Sequence, residues 1–110
     1  MTALAGRDCR PYPKGTPALS LEQATELLRE IPGWTINSSS SNISREFRFK
    51  DFHQTMAFVN ALAWIAHQTD HHPDLEVGYN RCNVTFSTHS IAGLSDNDFI
   101  CAARINSLGE

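Results

Sequence analysis

Four of the five histidines of this chain, His67, His71, His72 and His89, fall between positions 67 and 89. Soluble domains usually scatter their polar groups over the surface, so this clustering is where a functional argument starts. Imidazole exchanges a proton near neutral pH, with a reference pKa of about 6.5. Two or three imidazoles around one pocket can deliver a proton to one substrate atom and withdraw one from another. His67 and His71 are four apart and share a face if one helix runs through both. His71 and His72 are adjacent, and neighbours on a helix point about 100° apart. They therefore suit different tasks, one facing a pocket and the other supporting it. The partial negative charge at a helix C-terminus favours a protonated imidazole there, a suitable place for a proton donor.

Each of these residues also has an ordinary structural use. His53, in the first turn of a predicted helix, reads as a surface residue. His67 stands open between surface and pocket. The spacing His67-x-x-x-His71 also suits a helical zinc pair, with His89 as a third ligand. No Glu lies between the two to act as the base of a metalloprotease motif. Asp98 is the fourth residue of a capping box opened by Ser95, and Trp34 is a lone tryptophan after a turn, so capping and core packing account for both without chemistry. Gly93-Leu94 reads as a turn.

The elements that must hold these groups follow from patterning. Residues 1–18 contain Pro11, Pro13, Pro17, Gly6 and Gly15, which predicts a flexible, loosely held N-terminal extension before a domain over 19–110. Ser20 with Gln23 forms a capping box. Leu21, Ala24, Leu27, Leu28 and Ile31 continue at helical spacing until Pro32-Gly33 stops the helix. A short strand is expected at 34–36, a polar loop at 37–42 and a second strand at 43–49. In that strand Ile43, Phe47 and Phe49 oppose Ser44, Glu46 and Arg48, and Arg45 interrupts the apolar side. Asp51 with Gln54 opens the longest helix, with a stripe of Phe52, Met56, Val59, Ala63 and Ala66 widened by Phe58, Leu62 and Ile65. It should end near Asp70, because Pro73 disfavours helical geometry at His72. Leu75, Val77 and Tyr79 alternate, Asn80-Arg81 suggests a turn, and Cys82, Val84 and Phe86 alternate again. Ser95 with Asp98 opens a last helix carrying Phe99, Ala102, Ala103 and Ile105. The expected fold is α+β, one domain in the order α-β-β-α-β-β-α, with a four-stranded, mostly antiparallel sheet and three helices on one face. The other face would be open, which invites self-association.

Composition narrows the function classes. A chain of 110 residues with 41% hydrophobic residues suits one domain with one core. A net charge of −3 with scattered Lys and Arg argues against nucleic acid as a direct ligand. The longest apolar stretch, 61–66, is far too short to span a membrane, and residues 1–10 lack the apolar run of a leader. The expectation is a soluble, cytoplasmic protein. Cys9, Cys82 and Cys101 are odd in number and widely spaced, which fits neither a disulfide framework nor a cysteine zinc site. Cys82 and Cys101 read as buried free thiols.

Gln68-Thr69-Asp70-His71-His72-Pro73 and, after a strand, Ser87-Thr88-His89-Ser90-Ile91-Ala92-Gly93-Leu94-Ser95-Asp96-Asn97-Asp98 closely resemble the pterin-4a-carbinolamine dehydratases. Pro32-Gly33-Trp34 and Arg45-Glu46-Phe47-Arg48-Phe49 resemble earlier strands of the same family, so that the likeness covers roughly 20–106. It implies loss of water from a tetrahydropterin hydroxylated at C4a, to give quinonoid dihydropterin, without metal or organic cofactor. It matches His71, His72 and His89 to the family's three active-site histidines. On that reading His71 is the general acid for the hydroxyl, His89 its partner acid/base, and His72 positions the substrate. Trp34 would wall the pocket, His67 would contact substrate, and Asp98 would orient a histidine or a water. Two positions depart from the family: His67 often has an acidic counterpart, and Ile91 is often Cys in animal members. The uncovered sheet face and the small size of the domain lead to the expectation of a homodimer or a homotetramer. Relatives of that family include a coactivator that binds a homeodomain factor and assembly helpers, so a non-catalytic binding module is the rival reading. A histidine-ligated metal protein is a second.

Overall fold

The computed structural model describes residues 3–109. Its elements are α1 (Leu21–Leu28), β1 (Thr35–Ile36), β2 (Ile43–Arg48), α2 (Phe52–Thr69), β3 (Asp74–Val77), β4 (Arg81–Phe86) and α3 (Asp96–Asn106), in the expected α-β-β-α-β-β-α order. At the start of α1, Ser20 Oγ accepts from the Gln23 N–H at 3.1 Å and Gln23 Oε1 accepts from the Ser20 N–H at 2.9 Å. At α2 Asp51 caps in the same way, but Gln54 reaches one residue further back and accepts from the Lys50 N–H. Gly33 adopts φ +93°, a left-handed conformation open to glycine. A Cβ there would meet the Arg45 guanidinium at 2.7 Å.

The strands form one sheet in the order β1-β2-β4-β3, every neighbouring pair antiparallel. β1 and β2 are a hairpin, as are β3 and β4. α2 carries the chain from β2 across the sheet to the far edge, and β4 then inserts between. The register places Ile43 opposite Phe86, Arg45 opposite Val84 and Phe47 opposite Cys82, with Leu75 flanking Val84 on the other side. That face packs under the helices with Ala24, Phe58, Leu62, Phe99, Ala102 and Ile105. Arg45 fits on the apolar side because it lies along Phe47, 4.4 Å from the ring, and ends on Pro32 O and Asn106 Oδ1. The opposite face carries Ser44, Glu46, Arg48, Arg81, Asn83 and Thr85, with Glu46 paired to Arg48 at 2.9 Å. It is open, as expected, and polar. No described helix is long and apolar enough to cross a membrane.

Two local expectations are corrected. The buried line of α2 runs through Thr55, Phe58 and Leu62, while Phe52 and Ala63 are exposed. Thr55 takes a core position because its hydroxyl is satisfied by Asp51 O and Tyr79 O, both at 2.9 Å. β3 stops at Val77. Tyr79 lies in the turn, where Gly78 N–H bonds Arg81 O, and its ring stacks on Phe52 instead of entering the sheet.

The N-terminal segment, with a 3-10 turn at Leu4–Gly6, packs against α3. Leu4 is 3% exposed. Arg104 donates to Ala5 O and Arg7 O, and Arg7 pairs with Asp96 at 2.9 Å. Arg10 and Asn97 exchange two hydrogen bonds. Pro and Gly content reports local backbone preference, whereas this segment is held by a partner distant in sequence. It covers the side of α3 turned from the sheet, which explains why Asn97 through Ala102 are all buried. Replacing Leu4 by Ala should therefore lower the unfolding free energy by about 2 kcal/mol in urea titration; a loosely held tail would give no change.

Candidate active site

α2 ends at Thr69, and Asp70 takes a left-handed φ of 52°. Asp accepts that conformation better than most side chains. The reversal lets the His71 N–H bond back to Ala66 O at 3.2 Å and brings the His71 side chain to the end of β4. There its ring lies parallel to Phe86, 8° between planes and 5.7 Å between centroids. Because the helix stops first, His67 and His71 do not share a helix face. His67 is exposed and lies against Trp64, so the helical metal pair is not formed.

β4 delivers the other half. Beyond Phe86 the chain closes a small loop in which the Thr88 N–H bonds Gly93 O at 2.8 Å. His89 and Ser90 stand exposed on its 3-10 turn. Gly93 at the loop's return permits close packing, since a Cβ there would sit 2.6 Å from Ala18 Cβ.

Asp98 joins the two halves. It is fully buried. Its Oδ1 lies 2.6 Å from His71 Nε2. Its Oδ2 accepts from the Thr88 hydroxyl at 2.8 Å and from the Ser95 N–H at 3.0 Å. Thr88 and Ser95 hydroxyls are themselves 2.7 Å apart. One carboxylate thus caps α3 with one oxygen and holds a histidine with the other. An ionised carboxylate only accepts, so the proton of a neutral His71 sits on Nε2 and Nδ1 is left free to accept one.

His71, His72 and His89 line one cavity of about 490 Å³, together with residues 9–12, 69–70, 87–88, Ser90 and Asn97. The His72 and His89 rings face one another, 5.9 Å between centroids. Trp34 is not part of the wall. It is buried against Phe47 and Phe86, its indole N–H on Asn106 at 2.8 Å, and so acts behind the ring on which His71 stacks. His67 does not reach the cavity either. Residues 9–12 were absent from the sequence-based site, and no local pattern marks them. Ser90 Oγ donates to Tyr12 O at 2.7 Å, and the Arg10 guanidinium lies 4.8 Å over the Tyr12 ring. Cys9, beside His71, has its thiol pKa lowered to about 7, chiefly by a hydrogen bond from Cys101, with burial opposing and the charges of His71 and Arg104 assisting.

The sequence profile of the family described as pterin 4 alpha carbinolamine dehydratase matches residues 17–108. The chain belongs to this family. Relatives that bear the family's name are 54% identical in Nitrosospira multiformis, over 96% of this chain and 91% of the relative, and 54% identical in Stenotrophomonas maltophilia, over 97% and 92%. The crystal structure of a transcriptional coactivator/pterin dehydratase from Brucella melitensis superposes with a TM-score of 0.81 at 34% identity, over 86% of this chain and all of the other. A pterin dehydratase-like protein identified as a RuBisCO assembly factor in the alpha-carboxysome gives 0.61 at 27% identity, over 69% and 88%. The pterin dehydratase fold is thus the fold of this chain, and the matched region holds all three cavity histidines and Asp98, whereas residues 9–12 lie outside it.

Among the described residues no buried side-chain polar atom lacks a partner, and Asp98 supplies three of the partnerships. Asp98→Ala would strand His71 and the Ser95 N–H and leave the Thr88 hydroxyl only its contact with Ser95. The expected loss of stability is about 3 kcal/mol, read as a lower urea midpoint. Asp98→Asn, which keeps an acceptor for the cap, should lose less.

Proposed function

We propose that this chain dehydrates 4a-hydroxytetrahydropterin to quinonoid dihydropterin and water, in the cytoplasmic recycling of tetrahydrobiopterin. The observation that carries this reading is the His71–Asp98 pair opening, with His72 and His89, into one cavity. The reaction needs one proton delivered to the 4a-hydroxyl and one removed from N5. As the C4a–O bond breaks, the N5 lone pair forms the new double bond to C4a. No oxidation state changes, and acid–base groups suffice.

His71 is the general acid in this reading. Asp98 fixes its ring, while the parallel Phe86 limits its rotation. His89, on the loop after β4, exchanges the second proton. His72, facing His89 across the cavity mouth, holds the substrate. Asp98 is a positioning residue, because it acts through His71 and does not line the cavity.

A non-catalytic binding role on the same fold is the second reading, favoured by the likeness to the alpha-carboxysome assembly factor. The decay of 4a-hydroxytetrahydropterin, followed with and without the protein, separates the two. We expect acceleration, and a rate equal to buffer would leave the binding role. His71→Ala and His89→Ala should each lower kcat by roughly 10²–10⁴-fold, while His72→Ala should mainly raise KM. If His72→Ala lost kcat and His71→Ala kept it, the two assignments would be exchanged.

The same reading includes self-association as a homodimer or homotetramer. Its support is the apolar surface along α2 and the β3 edge, where Trp64 is 60%, Tyr79 66% and Val77 44% exposed. Light scattering at micromolar concentration should give a multiple of the monomer mass, and Trp64→Glu should reduce it.

A further inference from the structure

The three cysteines are not equivalent. Cys82 is buried in the middle of β4, with no other sulfur near it among the described contacts. Cys9 and Cys101 are separated by 92 residues, yet their sulfurs lie 3.6 Å apart. Cys101 is fully buried on α3, one turn after Asp98, and its Sγ contacts Thr69 Oγ1 at 3.5 Å. Cys9 is half-buried and lines the histidine cavity. One sulfur is therefore open to a small molecule entering the cavity, and the second waits directly behind it.

We propose that Cys9 and Cys101 form a reversible disulfide, made by exchange with a small disulfide that enters the cavity, which locks the N-terminal segment onto α3. The bonded sulfur distance is about 2.05 Å, so the two must close by a modest shift. The Cys9 side supplies it, because that segment is held by hydrogen bonds and one ion pair and not by a helix or sheet ladder.

The exchange is balanced without a metal. The Cys9 thiolate attacks one sulfur of the small disulfide, forms a mixed disulfide and releases one thiolate. Cys101 then gives up its proton to water and attacks the Cys9 sulfur, releasing the second thiolate. Two protein thiols are oxidised by two electrons, and the small disulfide is reduced to two thiols. Cys9 goes first on both grounds of reactivity. It is the accessible sulfur, and the hydrogen bond from Cys101 favours its ionised form while raising the pKa of Cys101 itself.

The consequence falls on the cavity wall. Residues 9–12 line one side of it, and the covalent link would tie that side to the helix carrying Asp98. Such a cross-link closes most of the chain into a loop, which stabilises the folded state through the unfolded one. This inference does not depend on which reaction the cavity performs.

The test uses the full chain incubated with excess oxidised glutathione, then denatured, alkylated with iodoacetamide and weighed. Intact protein should carry one alkyl group, on Cys82, and be lighter by two hydrogen atoms before alkylation. Its digest should contain Cys9 joined to Cys101, dithiothreitol should restore three alkyl groups, and the thermal midpoint should rise by several degrees. Cys101→Ser should stop at glutathione bound to Cys9. Cys9→Ser, a change in the covering segment that leaves the core intact, should keep both remaining thiols reduced. Three alkylated thiols after treatment, glutathione persisting on Cys9 of the unaltered chain, or oxidation of the Cys9→Ser variant would each overturn the proposal.

Discussion

The buried carboxylate of Asp98 is the interaction on which the rest of the site depends. A charge removed from water is tolerated only when its oxygens are occupied. Here the occupants come from three separate stretches of chain: the end of α2, the end of β4 and the start of α3. Satisfying the carboxylate therefore requires those three ends to meet. Their meeting is what assembles His71 beside the loop that carries His89. Cap, loop closure and histidine orientation are one network that meets at Asp98.

The sheet supplies the second constraint. Its two faces differ sharply, with Ile43, Phe47, Cys82, Val84 and Phe86 on one side and Glu46, Arg48, Arg81 and Asn83 on the other. Side-chain alternation leaves no freedom in register, since a slip of one residue would bury the charged set. Fixing β4 in that way fixes where Phe86 ends, and so where Thr88 and His89 begin. The cavity lies at the strand ends, where backbone turns away and side chains can converge.

The third constraint is the N-terminal segment. A helix buried on nearly every side must be covered on two, and in a domain of 110 residues the sheet reaches only one. Leu4, Cys9 and the Arg10–Asn97 exchange supply the other cover. The same strip of chain then serves as a cavity wall. Its Cys9 meets Cys101 because the cover must follow the helix closely, and that proximity gives the fold its one pair of neighbouring sulfurs among the described residues.

Much of this was determined by local sequence. Capping signals at Ser20, Asp51 and Ser95, the break at Pro32-Gly33 and the alternation in β2 and β4 each act within a few residues, so element order and the two-faced sheet follow from pattern alone. The three histidines that share the cavity were recognisable from their motifs as well. What pattern could not supply is whatever depends on residues far apart in the chain. The end of α2, legible from Pro73 and found at Thr69, separates His67 from His71, but where the chain then carries His71 depends on the packing of Phe86 and Asp98. Core packing is the local reading of Trp34 and a pocket wall the one that the resemblance implies; packing behind Phe86 buries it. Asp98 reads locally as a cap and, by resemblance, as the partner of a histidine or a water; the fold supplies which one, with its second oxygen on His71. Proline and glycine describe local backbone preference, whereas the partners of Ala5, Arg7 and Arg10, namely Arg104 and Asn97, lie at the other end of the chain. Short-range hydrogen bonding and periodicity are written in neighbouring residues; the sharing of one buried carboxylate, and the covering of one helix, are decided only when distant segments compete for the same space.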